Sequence, residues 1–308
     1  MESSHLSLYW VNQSNSKIIS QIEDEFCGRL IHAMRQGSLK LPPIPDVVIR
    51  LQQLCLHPDT TIRHVATCLL DDAALTANVI KAANSAMFSP RTNIECNDIN
   101  MAVSRLGLKR IHAIAMAYAV DKLKKSATFS KACNDLLKRS AVHAREFAAT
   151  MALVCQTVNK HSSEPTGLEM EKALLVGLLA DIGLFSLVDQ FQQYNDEGNY
   201  LDLEIAGVIF KDLCKDASRI VLRYFEFDED YVEVATNNTA DEEHPHPSYL
   251  DVARMANHLL MFRKNDEAID DHDVELNLAG AEALYELSNL KDDEFSQRLT
   301  VIVQNCGF

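Results

Sequence analysis

The stretch Ala173 to Leu187, ALLVGLLADIGLFSL, constrains the fold more than any other part of the chain. Its apolar residues fall on every side of a helix, so it has no face to offer water and must lie at the centre of whatever forms. A single carboxylate, Asp181, sits inside it. An ionised carboxylate in an apolar interior needs a partner, because an isolated charge there costs far more than a solvated one. Asp181 therefore belongs to a working metal site, to the remains of one, or to a salt bridge.

The rest of the chain reads as helix around that centre. Gly (10) and Pro (8) are sparse for 308 residues, and β-rich folds need many turn formers. Apolar residues recur at helical spacing from Ile18 to Met34, with Ser16 as the expected cap and Gly37 as the stop. Leu41 to Pro45, LPPIP, imposes an extended entry. Asp46 then reads as the N-cap of a helix ended by His57 and Pro58. Thr60 or Thr61 starts the next helix, Asp71 or Asp72 another, and Phe88 to Cys96 is a loop. Asn97 or Asp98 opens a helix interrupted by Gly107 and resumed from Ile111 to Leu123. A long helix follows over Leu136 to Val158, then a loop from Ser162 to Gly167. The central element spans Glu169 to Leu187 and breaks at Gly183. Leu201 to Phe225 gives one or two helices, and Tyr231 to Thr236 begins another. Beyond the proline hinge at His244 to Pro247, Ser248 caps a final group over Tyr249 to Phe262, Leu276 to Leu290 and Phe295 to Val303. No alternating pattern of strand length occurs, so the fold class expected is all-α.

Charge and composition exclude several functions. Net charge is −15, which gives no positive footprint for a phosphate backbone, so no nucleic acid partner is expected despite the helix–turn–helix spacing between Thr60 and Ala86. The short basic run Lys122 to Lys125 reads as a solvated helix end. The eight cysteines form no CxxC pair and several fall at apolar helical positions, which suits free thiols in a reducing cytoplasmic setting. No leader and no membrane span are expected, since no apolar run reaches about 18 residues without a polar break. Asp266 to Glu275 lacks the turn glycine and spacing of a calcium loop, and His244 and His246 read as exposed hinge residues.

Five segments in order resemble the HDOD family, the HD-related output domains of bacterial signalling proteins. They are LPPIP at Leu41 to Pro45, DDAALTANVIKAANSAMF at Asp71 to Phe88, INMAVSRLGLKRI at Ile99 to Ile111, RSAVHA at Arg139 to Ala144, and GLLADIG at Gly177 to Gly183. Ala73 stands where the family usually has proline. The resemblance implies an HDOD domain over residues 38–240, between an N-terminal arm and amphipathic helix (1–37) and a C-terminal helical extension (241–308).

The HD superfamily holds one or two metal ions with histidines and aspartates and hydrolyses phosphate esters. Carried over residue by residue, its ligand positions fall on Arg139, Ala180, Asp181, Asp216, Asn237, Asn238 and Asn257. Alanine cannot ligate a metal, and arginine stays protonated and repels one. Only Asp181 keeps a ligand chemistry at a firmly matched position, and His143, one turn after Arg139, reads as a hydrogen-bonded core residue. These positions are expected to be vestigial, with no catalytic residue, no metal and no cofactor. If Arg139 and Asp181 fill old ligand positions, a partly buried Arg139–Asp181 salt bridge is expected.

The function this implies is a non-catalytic signal-transduction module that works through a protein partner, with the terminal helices as a surface for that partner or for a homodimer. The competing function is a metal-dependent phosphohydrolase that recruits Asp181, Asp216, His143 and the asparagines.

Overall fold

The structure is a computed structural model, and it describes residues 25–85, 95–126, 129–238, 247–266, 269, 274 and 277–305. The secondary structure of these residues is helical, with no strand among them. In chain order the helices are α1 (Glu25–Arg35), α2 (Asp46–Leu56), α3 (Ile62–Leu69), α4 (Ala73–Asn84), α5 (Ile99–Leu106), α6 (Leu108–Ser126) and α7 (Lys131–His161). They continue as α8 (Met170–Leu179), α9 (Gly183–Asp196), α10 (Leu203–Tyr224), α11 (Glu229–Thr236), α12 (Tyr249–Arg263), α13 (Leu278–Ser288) and α14 (Asp292–Asn305). The arm before Glu25, with the cap expected at Ser16, lies outside the described residues. So do His244, His246, Cys306 and most of the acidic stretch after Asp266.

Local chemistry sets the helix starts. The side chains of Thr61, Asp72, Asp98 and Ser248 each accept hydrogen bonds from backbone N–H groups of the first turn they precede. Those N–H groups have no partner within the helix. Asp46 departs from expectation. It is the first residue of α2, after Pro45, and no side chain caps that helix. A carboxylate in the first turn still faces the positive end of the helix dipole. Leu203–Tyr224 is one helix, and the long helix starts at Lys131, earlier than its apolar spacing suggests, because the Ser130 hydroxyl caps it.

Helix α7 has 31 residues, about 46 Å at 1.5 Å per residue, and is the spine of the molecule. It packs along α8 and against α6, α12, α13 and α14. The approach to α8 is close because Gly177 faces Ala148, where a Cβ would lie 2.6 Å from the Ala148 Cα. A second apolar cluster forms from α1, the first turns of α7, α9 and α10. There the fully buried Phe26 ring stands 5.9 Å from Phe191, 5.2 Å from Tyr194 and 6.4 Å from Phe210.

The central stretch is central, as its sequence requires: Ala173 to Val188 are buried throughout. The segment Met170–Asp196 is long and apolar enough to cross a membrane by length and composition, but 94% of its most apolar window is buried inside the protein. Its break falls at Ala180, Asp181 and Ile182, between α8 and α9, rather than at Gly183. The seven described cysteines are free thiols. Cys68, Cys96, Cys133, Cys155 and Cys214 are buried, and Cys27 and Cys55 are half-buried.

Candidate functional site

The α8–α9 corner places Asp181 in the core, 1% exposed. The corner is tight. The Ile182 N–H donates to the Leu179 carbonyl at 3.1 Å and the Leu184 N–H to the Asp181 carbonyl at 3.0 Å. Helix α9 then starts hard against α10: the Gly183 N–H donates to Ser218 Oγ at 3.0 Å, and a Cβ on Gly183 would overlap the backbone of Ala217 and Ser218. Glycine at 183 is therefore a packing requirement, and it fixes the direction in which the Asp181 side chain leaves the corner.

That side chain meets a cation, but not the expected one. Lys124 Nζ lies 2.6 Å from Asp181 Oδ1 and donates at 3.0 Å to Ser140 Oγ, and the Ser140 hydroxyl donates to Asp181 Oδ2. Lys124 is itself 1% exposed. The three side chains close a ring in which each charged group is hydrogen-bonded, the condition for tolerating an ion pair away from water. Nearby, burial and the Asp181 charge push the Cys214 thiol up to about 12, so no thiolate forms there at neutral pH.

Two sequence expectations are corrected here. Lys124 is not at a solvated helix end. It follows Ala113, Ala117 and Val120 on the buried stripe of α6, and that spacing was the signal available for it. The Arg139–Asp181 salt bridge does not hold the carboxylate; Lys124 and Ser140 do, while Arg139 is exposed. The cause is rotation about α7. Its buried stripe runs through Cys133, Leu137, Ser140, Ala141 and Ala144, and one residue on a helix turns the side chain by about 100°. Ser140 thus points inward and Arg139 outward.

The other carried-over positions do not gather on Asp181. Asp216 is half-buried and accepts from Arg219 at 2.6 Å, three residues along α10. Asn237 ends α11 in the left-handed conformation, φ 53°, and its Oδ1 accepts from Arg254 Nε at 3.1 Å. Asn238 is exposed. Asn257 is buried in α12, with Nδ2 3.4 Å from Met261 Sδ. Ala180 is buried beside Asp181 and offers no donor atom. Half-buried His143 is held below its ordinary value, first by burial and then by the Lys264 ammonium, although Glu146 and Asp181 oppose this.

The metal that an HD site implies does not fit these residues. Both Asp181 oxygens are engaged by Lys124 and Ser140, and an ammonium occupies the position from which a cation would draw its charge. Among the described residues, no three or more His, Cys, Asp or Glu side chains are grouped to hold a metal ion.

The comparisons with known proteins agree with this fold. The HDOD domain model matches residues 41–240. The chain belongs to the HDOD family. The HDOD match takes in every position carried over above except Asn257. A Shewanella amazonensis SB2B crystal structure, provisionally named as a metal-dependent phosphohydrolase, shares the fold with a TM-score of 0.66. It is 24% identical, with 95% of this chain and 99% of that one covered. A second structure from the same organism, provisionally named a phosphohydrolase, aligns with a TM-score of 0.50 at 16% identity, covering 92% of this HDOD protein and 99% of that one. A Treponema pallidum (strain Nichols) protein is 27% identical over 86 residues, which make up 28% of this chain and only 16% of that one.

Proposed function

We propose that this HDOD protein is a non-catalytic signal-transduction module that acts by binding a protein partner. The observation that carries the reading is the sealed carboxylate. Asp181, the residue an HD-type hydrolase would use as a ligand, is buried and neutralised by Lys124. A divalent ion would have to displace an ammonium at 2.6 Å and leave that lysine buried without a counter-ion, which costs about 3–5 kcal/mol. Membership of the HDOD family supports a signalling role. The partner surface this reading favours is on the C-terminal helices. Leu278 and Tyr285 of α13 are 76% and 75% exposed, and seven residues apart they share one helix face.

The test has two arms. Purified protein is assayed for bound metal and for phosphodiesterase activity against cyclic dinucleotides and a chromogenic diester with added manganese. Neither metal nor turnover is expected. Stoichiometric bound metal together with turnover that a chelator abolishes and manganese restores would establish the competing phosphohydrolase function instead. In the second arm, tagged protein captures partners from its native cells, and Leu278→Glu with Tyr285→Glu is expected to release a specific partner without changing the thermal midpoint.

A further inference from the structure

A concavity lies at the other ends of the helices that carry the ion pair. It has a volume of about 560 Å³ and is built from the α5–α6 junction, the start of α8 and the α10–α11 connection. From Arg110 to Lys124 along α6 is about 21 Å at 1.5 Å per residue, so this cavity is separate from the Asp181 corner. The inference from it does not depend on whether that corner is catalytic.

Its wall carries an aromatic group with an unmet polar need. The His112 ring stacks on Phe227 at 4.7 Å and 19°, and Phe227 leans on Tyr231 at 4.7 Å. His112 is 7% exposed, and its buried Nε2 has no hydrogen-bond partner. Burial also keeps this imidazole neutral, so one ring nitrogen donates and the other accepts. A buried polar atom left unpaired is costly, and the residue that carries it is part of the cavity lining.

The α6 end supplies the complementary charge. Gly107, at φ 76°, leads directly into the helix, and open space surrounds the position a Cβ would take. The first N–H groups of α6, from Leu108 to Arg110, carry the positive end of the dipole of a 19-residue helix. Among the described cations here, Arg110 is held by Glu169 at 2.9 Å and Glu171 at 2.7 Å, and Lys172 by Asp228 at 3.0 Å and by Asp230. Exposed Lys109 enters none of the described ion pairs and is available to an anion. Glu226 and Asp228 line the α10–α11 part of the cavity, where carboxylates accept from hydroxyl groups and would repel a phosphate.

We propose that this cavity binds a mononucleotide: a planar nitrogen heterocycle seated against His112, Phe227 and Tyr231, its sugar hydroxyls toward Glu226 and Asp228, and its phosphate at the start of α6 beside Lys109. The volume falls within the roughly 300–1,000 Å³ of pockets for ligands of this size.

The test uses the full chain with adenosine and guanosine monophosphates as probes, and the two nucleosides and inorganic phosphate as controls. Calorimetry gives affinity, and nitrogen NMR of the histidine side chains reports on His112. At least one mononucleotide is expected to bind and to shift the His112 ring signals. The matching nucleoside and phosphate alone should each bind about tenfold more weakly or less. Lys109→Glu, at an exposed site, should weaken the nucleotide by about tenfold and leave the nucleoside unchanged. Phe227→Leu should weaken both. The proposal is overturned if neither nucleotide binds at about 5 mM, a concentration that detects even millimolar affinity. It is equally overturned if binding occurs with the His112 signals unmoved and the Lys109 variant unaffected, which would put the nucleotide elsewhere.

Discussion

At the scale of single residues, the Lys124–Asp181–Ser140 ring decides how the buried carboxylate behaves. Asp181→Ala leaves a buried ammonium with only a hydroxyl for company, and should cost about 3–5 kcal/mol in urea unfolding. Replacing both charges, as Lys124→Met with Asp181→Leu, should restore most of that loss, because apolar groups of similar volume remove the desolvation cost along with the attraction. Arg139→Ala, on the solvent face, should stay within about 0.5 kcal/mol. If the arginine variant were as damaging as the aspartate variant, the pairing described here would be wrong. His112 sets a pH dependence of its own. Burial lowers it from the ordinary 6.5 to about 4 in the fold. Between those values the unfolded chain binds the proton and the folded chain does not, so stability is full above about 6.5 and is lost as the pH falls toward 4. The expected loss is up to about 3 kcal/mol, read as a drop in urea midpoint from pH 7 to pH 4.5 that His112→Asn makes shallower.

At the scale of elements, the α8–α9 corner depends on a glycine that no turn requires. Gly183 is helical, and its role is to let α9 meet α10 at backbone distance. Gly183→Ala gains helix propensity but drives a methyl into the Ala217–Ser218 backbone. Overpacking should win, with a net loss of about 1–3 kcal/mol in thermal or urea unfolding. A stabilised variant would show that α9 shifts freely on α10. Much of the element order was legible from the residues alone, because caps and breaks are local chemistry. Thr61, Asp72, Asp98 and Ser248 announce helix starts by what their side chains can accept, and LPPIP excludes helix by its prolines. The site was less legible. Reading the basic run at Lys122 to Lys125 by its charge placed Lys124 in water, whereas its spacing from Ala113, Ala117 and Val120 placed it inside. The choice between Arg139 and Ser140 turns on one residue of helical register, which the matching of a motif does not fix. The His112–Phe227 wall joins residues far apart in the chain, and no local pattern signals it.

At the scale of the whole molecule, the ion pair lies on a seam. Ala180 and Ile182 belong to the larger apolar cluster, built mainly on α2 to α8 and α11 to α14, and Leu184 and Phe185 to the smaller one of α1, α9 and α10. Leu123, next to Lys124, packs against both. Asp181 and Lys124 therefore join the two clusters where the chain crosses between them, and Ser140 ties α7, which contributes to both, into the same ring. A link of that kind affects cooperativity as well as stability. With it intact, both clusters should unfold together, as a single transition. With Asp181→Asn, the carboxylate charge is lost and Lys124 is drawn toward solvent, which opens the seam. The smaller cluster, with less buried apolar surface to hold it, should then open first as a separate unit. Hydrogen exchange read by mass spectrometry tests this directly. In the variant, amides of Glu25–Arg35, Gly183–Asp196 and Leu203–Tyr224 should exchange faster than those of α7 and α8, whereas the parent protein should show comparable protection in all of them. Uniform acceleration over both clusters would mean that the ring stabilises one cooperative core and that the seam has no mechanical meaning.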